Sequence, residues 1–154
     1  MDKLWAPWRI GYVSKKKEKG CIFCNAIKGK SKKDFVILKT ALSMAILNKF
    51  PYNNGHVLVC PKRHTAGLES LTGKEVIDLF NTIKKCKQKL DKLLKPHGYN
   101  IGINLGIDAG AGITSHLHIH IVPRYRGDIN FMPVVTDVKV IPQSLETLAK
   151  SFKK

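Results

Sequence analysis

Short blocks of apolar residues alternate with turn residues over most of the chain. Apolar blocks of about four to eight residues between such turns are typical of β-strands. The pattern predicts five strands, at residues 35–39, 43–47, 56–60, 99–105 and 116–122. The third strand follows the sequence PYNNG at 51–55, in which asparagine and glycine tolerate the positive φ of a turn.

One segment has the period of a long helix, because its apolar residues recur three or four positions apart. They are Val76, Leu79, Phe80, Ile83, Cys86, Leu90 and Leu93. Thr72 and Glu75 form a capping-box sequence at its start, and Pro96 with Gly98 ends it. A short amphipathic helix is predicted at 142–152. The predicted fold class is therefore α+β, with a mostly antiparallel sheet.

The length of 154 residues suits a single domain, 1–154, with an N-terminal arm at 1–20 and a body at 21–154. No apolar run approaches the roughly 18–20 residues of a membrane span. The first residues also lack the apolar stretch of a secretory signal. We therefore expect a cytoplasmic protein with no membrane partner, in which disulfides are not favoured.

The chain is strongly basic, with 27 Lys+Arg against 11 Asp+Glu and a formal net charge of +16. This charge favours an anionic partner, such as a nucleotide phosphate or a nucleic acid. A solvated basic surface explains many of the lysines equally well. Because no RNA-recognition or zinc-finger pattern is present, nucleic acid is not expected as a partner.

The four cysteines are of two kinds. Cys60 lies in the third predicted strand and Cys86 on the apolar face of the long helix, so both are predicted to be core thiols. Cys21 and Cys24 form a Cys-x-x-Cys pair, which is a common half-site for zinc. The alternative is an empty or redox-active pair, although no thioredoxin-like βαβ context surrounds it.

Three histidines, His116, His118 and His120, alternate with apolar residues after a glycine-rich segment at 106–112. On a strand this alternation places the three imidazoles on one face, roughly 6–7 Å apart. Each imidazole titrates near neutrality and must be hydrogen-bonded if it is buried. A structural sheet face seldom carries three such groups, and the pattern therefore favours a chemical role.

These histidines resemble the motif of the histidine-triad family, in which three histidines are separated by single hydrophobic residues and followed by two more. The resemblance extends to residues 47–48, 54–61 and 100–106. Four other segments look like a bacterial branch that includes diadenosine tetraphosphate phosphorylases and hydrolases, namely 4–9, 123–124, 127–131 and 140–143. The resemblance implies a HIT-like fold, with about five strands, one long helix and a short C-terminal helix.

The resemblance also implies a reaction. His118 is at the position of the nucleophile, which attacks the α-phosphate of an adenine nucleotide and forms a nucleotidyl-histidine that water or phosphate displaces. His120 is at the position that contacts the α-phosphate or the leaving oxygen, and His116 completes the catalytic triad. The attacking nitrogen must be unprotonated, so the other ring nitrogen is expected to donate to a backbone carbonyl. Backbone N–H groups at 109–115 can approach the phosphate.

The nucleotide-binding set implied by the resemblance is Ile46, Asn48, His56, Asn104, Gly112, Ser115, His118 and His120. Asn48 matches the ribose contact, and Ile46 with Phe50 would border the adenine. His56 and Asn104 match positions near the phosphate. Two alternatives stay open, in which Asn104 belongs to turn structure and His56 is a strand-end histidine with no ligand role.

Several bacterial members of the family carry zinc, and the resemblance implies that His64 and His116 complete a Cys2His2 set with Cys21 and Cys24. A zinc with all four ligand positions filled by protein is structural rather than catalytic. Members of the family commonly form homodimers, with the long helix and a neighbouring strand at the interface. A homodimer is therefore expected.

Three functions are compatible with these patterns. The first is a dinucleoside polyphosphate hydrolase or phosphorylase, which the segments 4–9 and 127–131 favour. The second is a nucleoside phosphoramidate hydrolase, which would use His118 in the same way on a different leaving group. The third is a non-catalytic nucleotide or nucleic-acid binding module. The basic charge supports the third, but an inert binder would not need three imidazoles.

Overall fold

The computed structural model describes residues 20–29, 35–128 and 143–153. Its helices are α1 (Ile22–Ile27), α2 (Gly73–Leu94) and α3 (Leu145–Lys153). Its strands are β1 (Val36–Lys39), β2 (Ser43–Leu47), β3 (Val57–Pro61), β4 (Gly98–Ile103) and β5 (Ile119–Arg124). The predicted arm, apart from Gly20, lies outside the described residues, as do 4–9, 129–131 and 140–142. Within the described ranges, no helix is both long enough and apolar enough to cross a membrane.

The five strands of the described chain form one antiparallel sheet in the order β1-β2-β3-β5-β4. β5 therefore lies between β3 and β4 and is held by a ladder of hydrogen bonds on each side. This architecture confirms the predicted α+β class, with one long helix and a short helix near the C-terminus. It also places the strand that carries the last triad histidine inside the sheet rather than at its edge.

The predicted strand at 116–122 is wrong at its start, because β5 begins only at Ile119. The ladder between β3 and β5 ends at the pair Val59 and Ile119. Before that pair, the backbone N–H of Leu117 donates to the carbonyl of Thr65 at 2.6 Å. The chain is thus drawn from the sheet toward the loop after β3, and only His120 of the triad is a strand residue.

Side chains on the two faces of the sheet enter two buried clusters, because side chains alternate along a strand. The α2-side cluster, between the sheet and α2 with α3, contains Ala45, Leu47, Val57, Val59, Leu79, Ile83, Cys86, Leu90, Ile119, Ile121, Leu148 and Phe152. The α1-side cluster, between the sheet and α1, contains Phe23, Ala26, Met44, Leu58 and Cys60. Both predicted core thiols are confirmed as buried, and burial raises the pKa of Cys86 to about 12.

The start of α2 has the predicted capping box. The side chain of Thr72 accepts from the backbone N–H of Glu75, and the Glu75 carboxylate accepts from the backbone N–H of Thr72 at 2.9 Å. These two bonds satisfy N–H groups that a helix start leaves without partners. The helix ends at Leu94, and the C-cap residue Lys95 adopts the left-handed conformation with a φ of 46°.

The apolar stripe predicted on α2 is only partly buried. Leu79, Ile83, Cys86 and Leu90 enter the core, whereas Val76, Phe80 and Leu93 are exposed. Phe80 is 62% exposed and its neighbour Ile77 is 65% exposed. The predicted apolar stripe is wider than the face of α2 that the sheet covers. The residues at its two sides therefore face outward.

Candidate active site and metal-ligand cluster

A short helix that the sequence analysis did not predict holds the cysteine pair. α1 begins directly after Cys21 and contains Cys24 in its first turn. The ammonium of Lys39 donates to the carbonyls of Ile27 at 3.1 Å and Ala26 at 3.4 Å. A cation at the C-terminus of a helix satisfies its last carbonyls and interacts favourably with the helix dipole. The pair therefore lies on a helix that is tied to β1.

The four predicted metal ligands lie together. The ligand atoms of Cys21, Cys24, His64 and His116 all fall within 4.8 Å of one another. The Cys21 Sγ is 3.2 Å and the Cys24 Sγ is 3.7 Å from the Nδ1 of His116. The His64 Nδ1 is 3.3 Å from the Cys24 Sγ and 3.2 Å from the His116 Nδ1.

These separations fit a tetrahedral metal site. Zinc binds nitrogen at about 2.0–2.1 Å and sulfur at about 2.3 Å, which gives tetrahedron edges of about 3.3–3.8 Å. The donor set of two thiols and two imidazoles is also one that zinc prefers. The donor set and the four separations given above are therefore suited to a metal ion.

His116 is oriented for such a role by its second nitrogen. Its Nε2–H donates to the backbone carbonyl of Pro61 at 2.9 Å, so its Nδ1 presents a lone pair to the cluster. Burial lowers the pKa of His116, and the neighbouring His64 and His118 lower it further. The ring is thus neutral at neutral pH, as a metal ligand must be.

The loop that carries His64 is braced against α2. The guanidinium of the preceding residue, Arg63, donates to both carboxylate oxygens of Glu75 at 2.9 and 2.8 Å and to the carbonyl of Ser70 at 2.6 Å. The bond from Arg63 is the largest cause that lowers the pKa of Glu75, to about 2. One carboxylate therefore caps the long helix and also anchors the loop beside the metal-ligand cluster.

The tautomer of a neutral His118 follows from one hydrogen bond. The side chain is buried, and its Nδ1–H donates to the backbone carbonyl of His116 at 2.9 Å. A carbonyl accepts and cannot donate, so the proton of a neutral ring is on Nδ1. The Nε2 of His118 therefore carries a free lone pair, as the sequence analysis expects of the nucleophile.

Two consecutive hydrogen bonds through His56 determine which nitrogen of a neutral His120 carries the proton. The backbone N–H of Tyr52 donates to the Nδ1 of His56 at 3.0 Å, so the proton of His56 is on Nε2. That Nε2–H donates to the Nδ1 of His120 at 3.0 Å. A neutral His120 consequently carries its proton on Nε2.

The Nε2 of His120 is available for a ligand. It is buried, and within the described residues it has no hydrogen-bond partner. Burial, together with the nearby His118, lowers the pKa of His120 to about 4, so the ring is neutral at pH 7. The ring centroids of His118 and His120 are 5.0 Å apart. The site therefore places a lone pair and an N–H donor next to each other.

Two other predicted nucleotide-binding residues, Asn48 and Ile46, contact protein groups. The side-chain oxygen of Asn48 accepts from the backbone N–H of Phe50 at 3.0 Å, and its amide nitrogen is 3.2 Å from the Nδ1 of His56. Asn48 thus supports His56, and its ribose contact stays a prediction. Ile46 packs beside the α1-side cluster.

Three predicted residues belong to the loop before the triad. The side-chain amide of Asn104 lies close to Gly110, whose φ is +85°, and its place near the phosphate stays a prediction. Gly112 and Ser115 are exposed. Their roles in phosphate binding stay predictions.

Two residues at the site were missed by the sequence analysis. The Phe23 ring is fully buried and contacts both His116 and His118. The Tyr52 ring is parallel to His120 within 3°, with centroids 5.7 Å apart. Phe23 stands between the paired cysteines and Tyr52 four residues before His56, so proximity to predicted site residues was the only available signal.

Comparison with known proteins connects this geometry to a family. The sequence model described as HIT domain matches residues 29–127. The chain is 35% identical to the AP-4-A phosphorylase of Mycobacterium tuberculosis, over 94% of this chain and 79% of that protein. It is 36% identical to adenosine 5'-monophosphoramidase hnt1 of Schizosaccharomyces pombe, over 86% of this chain and 95% of that protein.

A solved structure has the same fold. The crystal structure of a Zn-bound histidine triad family protein from Mycobacterium smegmatis superimposes with a TM-score of 0.68. Its sequence is 27% identical, and the match covers 87% of this chain and 94% of that one.

Proposed function

The chain belongs to the HIT domain family, and from that premise we propose that it cleaves dinucleoside polyphosphates such as diadenosine tetraphosphate through a nucleotidyl-histidine on His118. The observation that carries the proposal is the bond from the Nδ1–H of His118 to the His116 carbonyl, which leaves the Nε2 lone pair free. The similarity to a phosphorylase acting on AP-4-A supports the choice of substrate.

The first step is an in-line displacement at the α-phosphorus. The Nε2 of His118 forms a bond to phosphorus while the bond from phosphorus to the bridging oxygen breaks, and ATP leaves from diadenosine tetraphosphate. The Nε2–H of His120 donates a hydrogen bond to a phosphate oxygen or to the leaving oxygen. Because the relay through His56 fixes this tautomer, the donor is in place before the substrate binds.

The second step restores the enzyme. Water or inorganic phosphate attacks the phosphorus of the nucleotidyl-histidine, the bond to nitrogen breaks, and AMP or ADP leaves. His118 returns to the neutral ring with its proton on Nδ1. Two displacements, each with a good leaving group, replace one difficult step, which is the usual gain from covalent catalysis.

Zinc is the metal proposed for the cluster of Cys21, Cys24, His64 and His116. The donor set, the ligand separations and the similarity to a Zn-bound relative support it. When bound, zinc would cross-link α1, the loop after β3 and the segment before β5. Because protein fills all four positions, its role would be structural.

A second candidate function is hydrolysis of adenosine phosphoramidates. The similarity to a monophosphoramidase favours it. His118 and His120 would act in the same way, and only the leaving group would differ.

A homodimer is also proposed. Ile77 and Phe80 on α2 and Ile101 on the edge strand β4 are exposed apolar residues. Burial of such residues against a second copy would remove apolar surface from water. The interface expected from the family resemblance, at the long helix and a neighbouring strand, includes these residues.

Product analysis with diadenosine tetraphosphate tests the proposed function. ADP with ATP, formed only when inorganic phosphate is present, identifies a phosphorylase. AMP with ATP, formed without phosphate, identifies a hydrolase. Turnover of adenosine phosphoramidate alone would select the second candidate. Retention of full turnover in His118→Ala would contradict both.

A further inference from the structure

Phe23 stands between the metal-ligand cluster and the nucleophile. Its side chain is fully buried, and α1 carries it between Cys21 and Cys24. Its ring centroid is 5.2 Å from that of His116, with an edge-on angle of 63°. It is also 5.2 Å from that of His118, with a tilted angle of 41°. One ring therefore contacts both a candidate metal ligand and the candidate nucleophile.

The hydrogen bond of His118 restrains its ring but does not by itself exclude every rotation of the ring. The bond to the His116 carbonyl selects the tautomer and one direction. Rotation of an imidazole about the bond to its Cβ is broad, because that torsion joins a tetrahedral to a planar atom. A buried aromatic ring at 5.2 Å restricts the rotation, since rings at such distances prefer defined angles.

We propose that Phe23 is a positioning residue that couples metal binding in the cluster to the orientation of the His118 ring. The inference rests on the proposed function insofar as His118 is the nucleophile. A metal held by Cys21 and Cys24 fixes the start of α1, and the ring of Phe23 lies between these two ligands in sequence. Fixing α1 therefore fixes the ring that restrains His118.

His116 supplies a parallel connection. Its ring belongs to the metal-ligand cluster, and its backbone carbonyl accepts the hydrogen bond from His118. The carbonyl holds the Nδ1 of His118, and Phe23 packs against the same ring and limits its remaining rotation. Together they direct the Nε2 lone pair.

The first experiment compares Phe23→Leu with Met44→Leu. Both residues are fully buried in the α1-side cluster, but only Phe23 has a ring against His118. In single-turnover reactions we expect Phe23→Leu to form the nucleotidyl-histidine on the order of tenfold more slowly, because small misplacement of a reacting group is costly. The affinity for AMP should change by less than about twofold, and Met44→Leu should behave as the unmodified chain.

The second experiment observes the ring directly. With the imidazole carbons labelled, NMR of the zinc-loaded chain should give one narrow His118 signal, assigned by its absence in His118→Ala. Removal of zinc, checked by elemental analysis, should broaden or double that signal. Phe23→Leu should show the same change while zinc is still bound, and chelation should then add little.

The outcomes separate this inference from the proposed function. A His118 signal that stays narrow after complete removal of zinc overturns the coupling, as does a chain that binds no zinc. Equal nucleotidylation rates in Phe23→Leu and Met44→Leu overturn the role of Phe23. Full turnover in His118→Ala instead overturns the proposed function, whereas the NMR result does not depend on turnover. If Phe23→Leu does not fold, chelation of the unmodified chain still tests the coupling.

Discussion

The α2-side cluster buries twelve residues of the described chain, whereas the α1-side cluster buries five. The larger cluster is apolar except for one thiol, and two helices cover it. The smaller one adjoins His56, His116 and His118, which are buried polar groups held by hydrogen bonds. The two sides of the sheet therefore differ in character, with most of the apolar burial on one side and the buried candidate site histidines on the other.

The α1 side is the side on which a bound metal would add stability. Burial of apolar surface stabilises the α2 side, by about 25 cal/mol for each Å² removed from water. On the α1 side, a six-residue helix and irregular segments carry the site residues. A helix of this length is marginal by itself, so hydrogen bonds tie it to the rest of the chain, and the proposed metal would add a further cross-link.

The largest expected effect is on the chemistry of the α1 side. His118→Ala removes the lone pair that is proposed to attack phosphorus, and turnover of diadenosine tetraphosphate should fall by at least about 10³-fold. The melting temperature should change little, and AMP should still bind. His97→Ala is the control, because this exposed histidine accepts a hydrogen bond from the backbone of Arg126, away from the triad. Equal loss in both variants would contradict the assignment.

The largest expected effect on stability is on the α2 side. Leu90→Ala empties a fully buried position and should lower the free energy of unfolding by about 2–5 kcal/mol, measured by urea titration. Val76→Ala on the exposed flank of α2 should cost less than about 0.5 kcal/mol. Bound zinc per folded chain should be the same in both. An unchanged free energy of unfolding in Leu90→Ala would contradict the view that apolar burial on the α2 side dominates stability.

Removal of the metal should destabilise the chain through the α1 side. Cys24→Ser, or chelation, should lower the melting temperature by about 4–8 °C, because binding to the folded chain alone adds to its stability. Elemental analysis should find about one zinc per unmodified chain. Ile22→Ala, an exposed change on the same helix, should keep both the zinc and the melting temperature. A chain with no zinc and the same melting temperature as Cys24→Ser would refute the metal site.

The low pKa of His120 predicts that the free energy of unfolding decreases as the pH falls. Its pKa of about 4 lies below the value of about 6.5 for an unfolded histidine, so between these values only the unfolded chain binds the proton. The contribution of His120 to the free energy of unfolding is therefore fully present above about pH 6.5 and is lost as the pH falls toward 4. Since the ring is half-buried next to His118 and His56, we expect on the order of 1 kcal/mol.

This dependence is measured by urea titrations at pH values spaced by about half a unit between about pH 4.5 and 7. The unmodified chain should lose more stability on acidification than His120→Asn, which has no proton to bind. His97→Asn should follow the unmodified chain. Parallel curves for the unmodified chain and His120→Asn would contradict the low pKa.

The smallest effect on the folded chain itself is expected at its outer surface. Phe80→Glu replaces an exposed residue, so the fold should persist with a change within about 0.5 kcal/mol per chain. The mass in solution, measured by light scattering, should nevertheless fall from a dimer to a monomer, because a charge in an apolar interface is costly. Lys87→Glu, elsewhere on α2, should remain a dimer. A monomeric unmodified chain would contradict the proposed pairing.

Much of the architecture was predictable from local patterns. Turn residues and short apolar blocks located four of the five strands within two residues, and the capping box located the start of α2. α1 was missed because its six residues are too few to show a helical period. The start of β5 was misplaced because Leu117 bonds to Thr65, a long-range contact that no local pattern contains.

The sequence by itself determined which groups are available: the alternating histidines, the cysteine pair and the turn before His56. Alternation along a strand also determined that Ile119 and Ile121 would face the core opposite to His120, because side-chain direction depends only on the local backbone. Only the tertiary structure decided which nitrogen of each ring carries the proton. That choice depends on the carbonyl of His116 and the backbone N–H of Tyr52, groups that no residue type identifies. The tertiary structure also brought Phe23 against two imidazoles more than 90 residues away in sequence, because packing, unlike hydrophobic period, depends on distance in space.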